Sequence, residues 1–216
     1  MSNKILFANK ELFLQFDGSI YWPEKKSLIL GDLHLEKSSY FAKLGNFLPP
    51  YDSIETISRL ELTLRALEVK KIILLGDIFH DKEGINRLSK KLRLYLNNLC
   101  RSFEVIWLVG NHDGHIRPKQ ARYLSEYQID NISFNHRSLK NNDYELSGHY
   151  HPKATIKLFK IKISKPCFLV GESKIILPAY GAFTGGIDAK DKIFKNIFNN
   201  KYKTYVLLNE KILKVI

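Results

Sequence analysis

Residues 104–113 read EVIWLVGNHD, an apolar run that stops abruptly at Gly110-Asn111-His112-Asp113. The apolar residues 105–109 predict a strand that is buried on both faces, and the glycine permits a sharp turn at its end. Placing Asn, His and Asp at the rim of an apolar core costs desolvation free energy, and functional sites are the usual reason for such a cost. This stretch therefore predicts a sheet with a site at the carboxyl ends of its strands.

Two stretches upstream repeat this order of apolar strand, glycine and acidic residue. Residues 28–30 lead into Gly31-Asp32-Leu33-His34, and residues 72–75 lead into Gly76-Asp77-Ile78-Phe79-His80. One such ending means little, whereas three in one chain predict side chains that converge on a common ligand. The strands are separated by helical patterns, so a βαβ unit with a largely parallel sheet is expected.

Helices are predicted in the two segments between these strands. A short helix is expected over residues 36–44, and Asp52 with Glu55 is interpreted as a capping box that opens a second one. Apolar residues at helical spacing then predict one continuous amphipathic helix; they are Ile85, Leu88, Leu92, Leu96 and Leu99. These helices are interpreted as elements that pack against the sheet, without catalytic residues.

Beyond Gly114 the pattern changes to short, closely spaced strands. They are predicted at 132–135, 144–147, 154–163, 168–170, 174–177 and 202–208, and upstream the Asp17-Gly18 pair predicts a hairpin turn. A second, mainly antiparallel sheet is therefore expected to pack against the first. The predicted fold class is α/β, with two packed mixed β-sheets flanked by helices, in a single domain over residues 1–216.

The chain has 216 residues, 44% hydrophobic content and a formal net charge of +12. Most of the positive excess lies in the second half, which favours a polyanionic partner such as nucleic acid. The abundance of Lys, Asn, Ile, Phe and Tyr is also what an AT-rich coding sequence would produce whatever the function. Cys100 and Cys167 stand far apart, so buried structural thiols are expected. The sequence has no apolar run of membrane-spanning length and no signal-peptide pattern, which predicts a cytoplasmic protein.

Seven residues with hard-oxygen or imidazole side chains follow predicted strands. Asp32 and His34 stand two apart in extended chain and so point to the same side, and His149 and His151 repeat that spacing. The candidate metal ligands are Asp32, His34, Asp77, Asn111, His136, His149 and His151. Such a set without thiolates suits Mn²⁺, Fe²⁺ or Zn²⁺. Seven ligands exceed what one ion needs, so two ions bridged by a carboxylate are predicted.

The motifs Asp32-x-His34, Gly76-Asp77-x-x-His80, Gly110-Asn111-His112-Asp113, His136 and Gly148-His149-x-His151 resemble those of the calcineurin-like metallophosphoesterases. The resemblance implies the fold of that family, an α/β/β/α sandwich. It implies one metal held by Asp32, His34, Asp77 and His151, and a second held by Asp77, Asn111, His136 and His149. His80 stands where many members have Asp, and the double-strand-break repair nucleases of the superfamily carry His there.

The flanking segments resemble a narrower family, the ligase-associated metallophosphoesterases of bacterial DNA repair clusters. The similar stretches are 32–37 (DLHLEK), 48–52 (LPPYD), 166–168 (PCF) and 177–186 (LPAYGAFTGG), and Glu36 stands where that family has glycine. The resemblance implies a manganese-dependent phosphodiesterase and DNA endonuclease that works beside a ligase, an exonuclease and a helicase.

Three functions are compatible with these patterns. The first is hydrolysis of DNA phosphodiester bonds, in single-stranded or damaged DNA, by a two-metal-activated hydroxide. The alternatives are a phosphodiesterase acting on small or cyclic nucleotides and a nucleic-acid-binding protein without turnover. For the enzyme, His112 is expected to protonate the leaving group or stabilise the transition state, with Asp113 orienting its ring, and His80 to orient the phosphate.

Lys160 and Lys162 alternate with Phe159, Ile161 and Ile163, which predicts one basic face and one apolar face on a strand. The apolar face is expected to pack inward. The lysines are interpreted either as contacts to a DNA backbone or as edge-strand charges that discourage aggregation.

Overall fold

The computed structural model describes residues 3–114, 118–139, 144–158, 161–209 and 211–215. These residues form two β-sheets and several helices. The strands of the first sheet are Lys4–Phe7 (β1), Lys10–Leu14 (β2), Ile20–Trp22 (β3), Ser27–Leu30 (β4), Lys71–Leu74 (β5), Glu104–Leu108 (β6) and Arg122–Leu124 (β7). The strands of the second sheet are Glu126–Ile129 (β8), Ile132–Asn135 (β9), Glu145–Ser147 (β10), Lys153–Leu158 (β11), Ile161–Gly171 (β12), Lys174–Ile176 (β13), Tyr202–Leu208 (β14) and Lys211–Val215 (β15).

The helices are Lys37–Lys43 (α1), Asp52–Ala66 (α2), Gly84–Arg87 (α3), Lys90–Ser102 (α4) and Lys192–Ile197 (α5). Four of them lie in the segments that connect the strands of the first sheet. None of the helices in the described part of the chain is long and apolar enough to cross a membrane.

The first sheet runs in sequence order from β1 to β7. Strands β4 to β7 pair in parallel, while β1 to β4 pair antiparallel and include a hairpin at the predicted Asp17-Gly18 turn. Because β4, β5 and β6 are parallel neighbours, their carboxyl ends meet at the same edge. The three polar endings that the sequence analysis singled out therefore lie side by side.

The second sheet follows the order β15-β14-β12-β13-β10-β9-β8, with β11 paired to β12. Its centre is parallel, since β10 pairs with both β9 and β13 in that sense, while its outer pairs are antiparallel. The prediction of a mixed sheet is confirmed, and the parallel centre brings the ends of β9 and β10 together.

Alternating residues of the central strands divide the apolar core into layers. Val105 and Trp107 of β6 pack with the helices on the outer face of the first sheet, whereas Ile106 and Leu108 pack against the second sheet. A third cluster on the far side of the second sheet contains Phe194 of α5. The side-chain period of two in a strand thus places one core on each side of each sheet, and the predicted α/β/β/α arrangement is confirmed.

Two helix predictions were wrong. The Asp52 carboxylate does not cap α2, whose N-cap is Tyr51, but accepts hydrogen bonds from the backbone N–H and the hydroxyl of Ser38. The helical pattern after residue 84 is split into α3 and α4, because Ser89 caps α4 by accepting from the N–H of Leu92. In both cases a polar side chain forms a hydrogen bond that the apolar spacing did not reveal.

The basic strand predicted at 154–163 is instead divided between the two paired strands β11 and β12. Lys162 is exposed and pairs across the hairpin with exposed Lys157, while Lys160 lies outside the described residues. Ile163 packs against the third core cluster, but Ile161 is 68% exposed, so the prediction that the whole apolar face packs inward was wrong.

Candidate metal centre

The carboxyl ends of four strands deliver six of the predicted ligands to one place. Two groups form, each with ligand atoms within 4.8 Å of one another: Asp32, His34 and His151, and Asp77, His136 and His149. This partition is the one that the resemblance implied, although Asp77 groups only with the second set. Its role as a bridging carboxylate stays a prediction.

The first group is centred on the Asp32 carboxylate, which is fully buried. Its Oδ2 accepts from the N–H of His149, while its Oδ1 lies 3.3 Å from His151 Nε2 and has no hydrogen-bond partner in the described part of the chain. His34 Nε2 lies 3.2 Å from His151 Nε2. Two imidazole nitrogens and one carboxylate oxygen thus face the same point.

The second group repeats this arrangement around Asp77. The Asp77 Oδ2 lies 3.3 Å from His136 Nε2, which in turn lies 3.1 Å from His149 Nδ1. His136 Nδ1 lies 2.8 Å from the carbonyl oxygen of Leu75, which can only accept, so Nδ1 carries a proton and Nε2 offers a lone pair once its own proton is lost. The two groups are neighbours, since His136 Nδ1 is 3.7 Å from Asp32 Oδ1.

Electrostatics holds most of these side chains in their metal-binding protonation states. Burial lowers the pKa of His34 to about 3, although the charge of Asp32 opposes this. Burial alone would raise the pKa of Asp77, but the hydrogen bond and charge of His136 outweigh it and lower that pKa to about 2. For His136, burial acts downward, yet Asp77 and Asp32 raise its pKa to about 9. Without a cation, a proton on His136 therefore balances the carboxylates.

The backbone at these positions is strained. His34, Asp77, His149 and His151 all adopt positive φ angles, of 44°, 49°, 70° and 46°. Such angles are uncommon for residues other than glycine, cost on the order of 1–3 kcal/mol each, and cluster at ligand-binding sites. Glu36 also has a positive φ, of 64°, a conformation that glycine adopts without strain.

Gly110 allows the loop after β6 to approach the second group. A Cβ on Gly110 would lie 2.1 Å from Asp77 Oδ1 and 2.4 Å from the Asp77 nitrogen, closer than any side chain permits. The following residues therefore reach the centre: the N–H of His112 donates to Asp77 Oδ1 at 2.8 Å. Asn111 stands between Gly110 and His112, and its side chain is exposed. Its role as a ligand stays a prediction.

His112 and His80 lie beside the two groups without belonging to either. Their rings stack at 5.9 Å and 14°, and each ring also lies about as close to that of His34, at 5.4 Å for His112 and 5.5 Å for His80. Burial lowers the pKa of His80 to about 4, and the charge of Lys37 acts in the same direction. A neutral imidazole and an exposed one thus stand at the open side of the centre.

Asp113 does not orient the His112 ring as predicted. Its buried carboxylate accepts hydrogen bonds from the N–H groups of Asp77, Ile78 and Gly110 and from Trp107 Nε1. These four donors come from the ends of β5 and β6, so Asp113 ties the two ligand-bearing loops together. The local sequence did not reveal this role, because the donors of Asp77 and Ile78 lie 36 and 35 residues away.

Removal of the Asp113 carboxylate tests this role. Asp113→Ala is expected to lower the free energy of unfolding by about 3 kcal/mol. Each buried donor left without an acceptor costs about 1–3 kcal/mol, and water is expected to replace the carboxylate at some of the four donors. Urea denaturation measures the change. The matched control Glu126→Ala removes an exposed carboxylate and should change stability by less than about 0.5 kcal/mol. Equal stability of the two variants would contradict the assignment.

The two groups fit divalent metal ions. In each, nitrogen lone pairs and a carboxylate oxygen converge within 4.8 Å, an arrangement that is repulsive unless a proton or cation lies between them. The buried, unpartnered Oδ1 of Asp32 marks such a position in the first group. Oxygen and imidazole donors without thiolate are those that Mn²⁺, Fe²⁺ and Zn²⁺ accept.

Comparison with known proteins agrees with this chemistry. A family model for calcineurin-like phosphoesterases matches residues 25–208, which include all seven predicted ligands. The chain belongs to this family. It is therefore a metallophosphoesterase, a hydrolase of phosphoesters whose family uses divalent metals, and the two groups are its candidate metal sites.

A solved nuclease structure shares the fold of this metallophosphoesterase. The nuclease MPE of Pseudomonas putida superposes with a TM-score of 0.75 at 22% sequence identity, and the match covers 100% of both chains. Vacuolar Protein Sorting 29 from Cryptosporidium parvum gives a TM-score of 0.38 at 14% identity, covering 88% of this chain and 94% of that one. No curated protein matches the sequence.

Proposed function

We propose that this metallophosphoesterase hydrolyses DNA phosphodiester bonds, in single-stranded or damaged DNA, as part of DNA repair. The observation that carries the proposal is the pairing of two adjoining metal-binding groups with two histidines, His80 and His112, that neither group uses. Hydrolysis of a phosphodiester needs both elements: positive charge beside the phosphate oxygens, and a proton for the poor alkoxide leaving group.

Divalent ions bound at the two groups supply a hydroxide nucleophile at neutral pH and offset negative charge on the phosphate. We infer that two ions bind and that Mn²⁺ is the native metal, as the similarity to the ligase-associated family implies. Asp32, His34, Asp77, Asn111, His136, His149 and His151 would hold them.

His112 supplies the proton in this scheme. Its ring stands at the open side of the centre, and its backbone N–H is fixed by Asp77, so the imidazole is held next to the phosphate position while staying exposed to solvent. His80 is packed between Tyr40, at 4.9 Å, and the His112 ring. That packing fixes its orientation, which suits a group that hydrogen-bonds and orients the phosphate.

Two further observations support a DNA substrate. The net charge of +12 favours a polyanion, and the Pseudomonas putida protein with the same fold is described as a nuclease. Exposed Lys157 and Lys162 on the β11–β12 hairpin, with Lys160 between them in sequence, are candidates for backbone contacts. A functional association with a ligase, an exonuclease and a helicase is part of the same proposal.

Hydrolysis assays with Mn²⁺ test the proposal. Single-stranded DNA, duplex DNA and a cyclic nucleotide are each incubated with the protein, with and without a chelator. We expect chelator-sensitive cleavage of single-stranded DNA at the highest rate. Faster hydrolysis of the cyclic nucleotide would replace the proposal with a small-molecule phosphodiesterase, and DNA binding without cleavage in any metal would indicate a binding protein.

A further inference from the structure

Two lysines, Lys37 and Lys153, flank the first metal-binding group. Lys37 begins α1, three residues after His34, and Lys153 begins β11, two residues after His151. Neither forms an ion pair within 4.0 Å with any residue in the described ranges. The carboxylate whose charge acts on Lys37 is that of Asp52, and its two oxygens already accept hydrogen bonds from Ser38.

The loop 181–186 fixes the position of Lys153. Its Nζ donates to the carbonyl oxygen of Thr184 at 2.8 Å, which leaves two ammonium protons free. A Cβ on Gly186 would lie 2.1 Å from the His151 oxygen and 2.9 Å from Lys153 Cγ, so the loop is pressed against this segment. The same loop touches the other ligand-bearing segment, since a Cβ on Gly181 would lie 1.9 Å from the Leu33 oxygen.

The two ammonium groups act on each other and on the centre. Burial lowers the pKa of Lys37, and the positive charge of Lys153 lowers it further. Lys37 in turn is the largest charge acting on His80. His34 Nε2 and His151 Nε2 lie 3.2 Å apart, and each lysine stands two or three residues after one of these histidines. The two positive charges therefore flank the same metal-binding group, where they can attract an anion.

An aromatic surface adjoins this position. Phe183, next to Thr184 in the chain, is 41% exposed and has a positive φ of 54°, and its ring lies 6.0 Å from that of Tyr51, which is 52% exposed. Exposed aromatic rings beside phosphate-binding cations are how proteins hold unpaired nucleotides, because bases stack on the rings.

We propose that Lys37 and Lys153 together bind the phosphate that neighbours the hydrolysed one in an unpaired nucleic acid strand. The inference rests on the proposed function and extends it, because it makes a substrate with at least two consecutive phosphates the preferred one. The metals would bind the reacting phosphate, and the lysine pair would fix the direction in which the strand leaves the centre. The adjoining base would stack on Phe183.

Binding without turnover is the first test. A short fluorescent oligothymidylate is titrated with the full chain in the presence of a chelator, and anisotropy gives the affinity at several salt concentrations. The double variant Lys37→Gln/Lys153→Gln should bind about ten- to thirtyfold more weakly, since it loses charge-assisted hydrogen bonds to one phosphate. The slope of log affinity against log salt should flatten by about 0.7.

Two further variants make the result specific. Lys203→Gln/Lys214→Gln removes the same charge from β14 and β15, where both lysines are exposed, and should change the affinity less than threefold. Lys37→Arg/Lys153→Arg keeps both charges and should retain most of the binding, which excludes misfolding as the cause. An affinity and salt slope of the Gln pair equal to those of the wild type would overturn the inference.

Turnover with Mn²⁺ separates this inference from the proposed function. In the Gln pair, kcat/KM for the oligonucleotide should fall at least tenfold more than kcat/KM for bis(p-nitrophenyl) phosphate, which has one phosphate. Equal losses on both substrates would mean that the lysines act on the metals, and would overturn the inference while the nuclease proposal stands. Failure of the wild type to cleave any oligonucleotide would overturn both.

Discussion

Asp77→Asn is expected to abolish most phosphodiesterase activity, lowering kcat/KM by roughly 10²–10⁴-fold. The side chain keeps its shape, and its Oδ1 can still accept from the N–H of His112, so the loop after β6 should stay in place. What is lost is the buried negative charge that faces His136 Nε2 at 3.3 Å. A bound metal ion contributes several kcal/mol of transition-state charge stabilisation, and losing about 3–5 kcal/mol of it corresponds to this range of rates.

The metal content should change in parallel. Anomalous scattering from Mn²⁺-soaked crystals of the wild type is expected to show two peaks, about 3.5–4 Å apart as in two-metal sites, with Asp77 between them. The Asn variant should lose at least one. The matched control is Asp130→Asn, because the Asp130 carboxylate bonds Lys25 on the surface and touches neither group. A single wild-type peak with Asp77 pointing away, or a fully active Asn variant, would contradict the bridging role of Asp77.

His112→Ala has the second-largest expected effect, a fall in kcat of roughly 10²–10⁴-fold, which is the contribution of a positioned proton donor. Metal occupancy should not change, because His112 belongs to neither group and contacts Asp77 through its backbone N–H, which alanine retains. Steady-state kinetics with an oligonucleotide and metal analysis of the dialysed protein measure the two quantities.

The leaving group distinguishes the two roles that His112 can play. A p-nitrophenyl diester releases a stable phenolate and needs no proton, so it should lose far less activity than DNA if His112 is the general acid. Equal losses on both substrates would instead indicate stabilisation of charge in the transition state. Loss of metal from the alanine variant would count against either role.

The sequence by itself determined which strands end in polar residues. Apolar runs that stop at Gly31, Gly76 and Gly110 predicted the parallel sheet and the edge at which its site lies. The spacing of two between Asp32 and His34, and between His149 and His151, predicted paired ligands, and the structure brings these four residues and two others together. The reason given for this pairing was wrong, however: His34, His149 and His151 have positive φ angles and lie outside the strands, so the loops after the strands bring these side chains together.

The role of Asp113 was decided by the tertiary structure. The motif Gly110-Asn111-His112-Asp113 marks it as a site residue, but two of its four donors are N–H groups at the end of β5, 36 and 35 residues away. Asp52 is a similar case, since a capping box was the best local interpretation and Ser38, 14 residues upstream, provided better donors. A polar side chain binds whichever partner the fold brings near, and local spacing does not encode that partner.

The lysine pair also depends on the tertiary structure alone. Lys37 and Lys153 are separated by more than a hundred residues, and nothing in either segment distinguishes them from the other lysines of a strongly basic chain. They come to the same side of the centre because α1 starts just after His34 and β11 starts just after His151. The ends of β4 and β10, which carry these segments, come together only once the two sheets have packed.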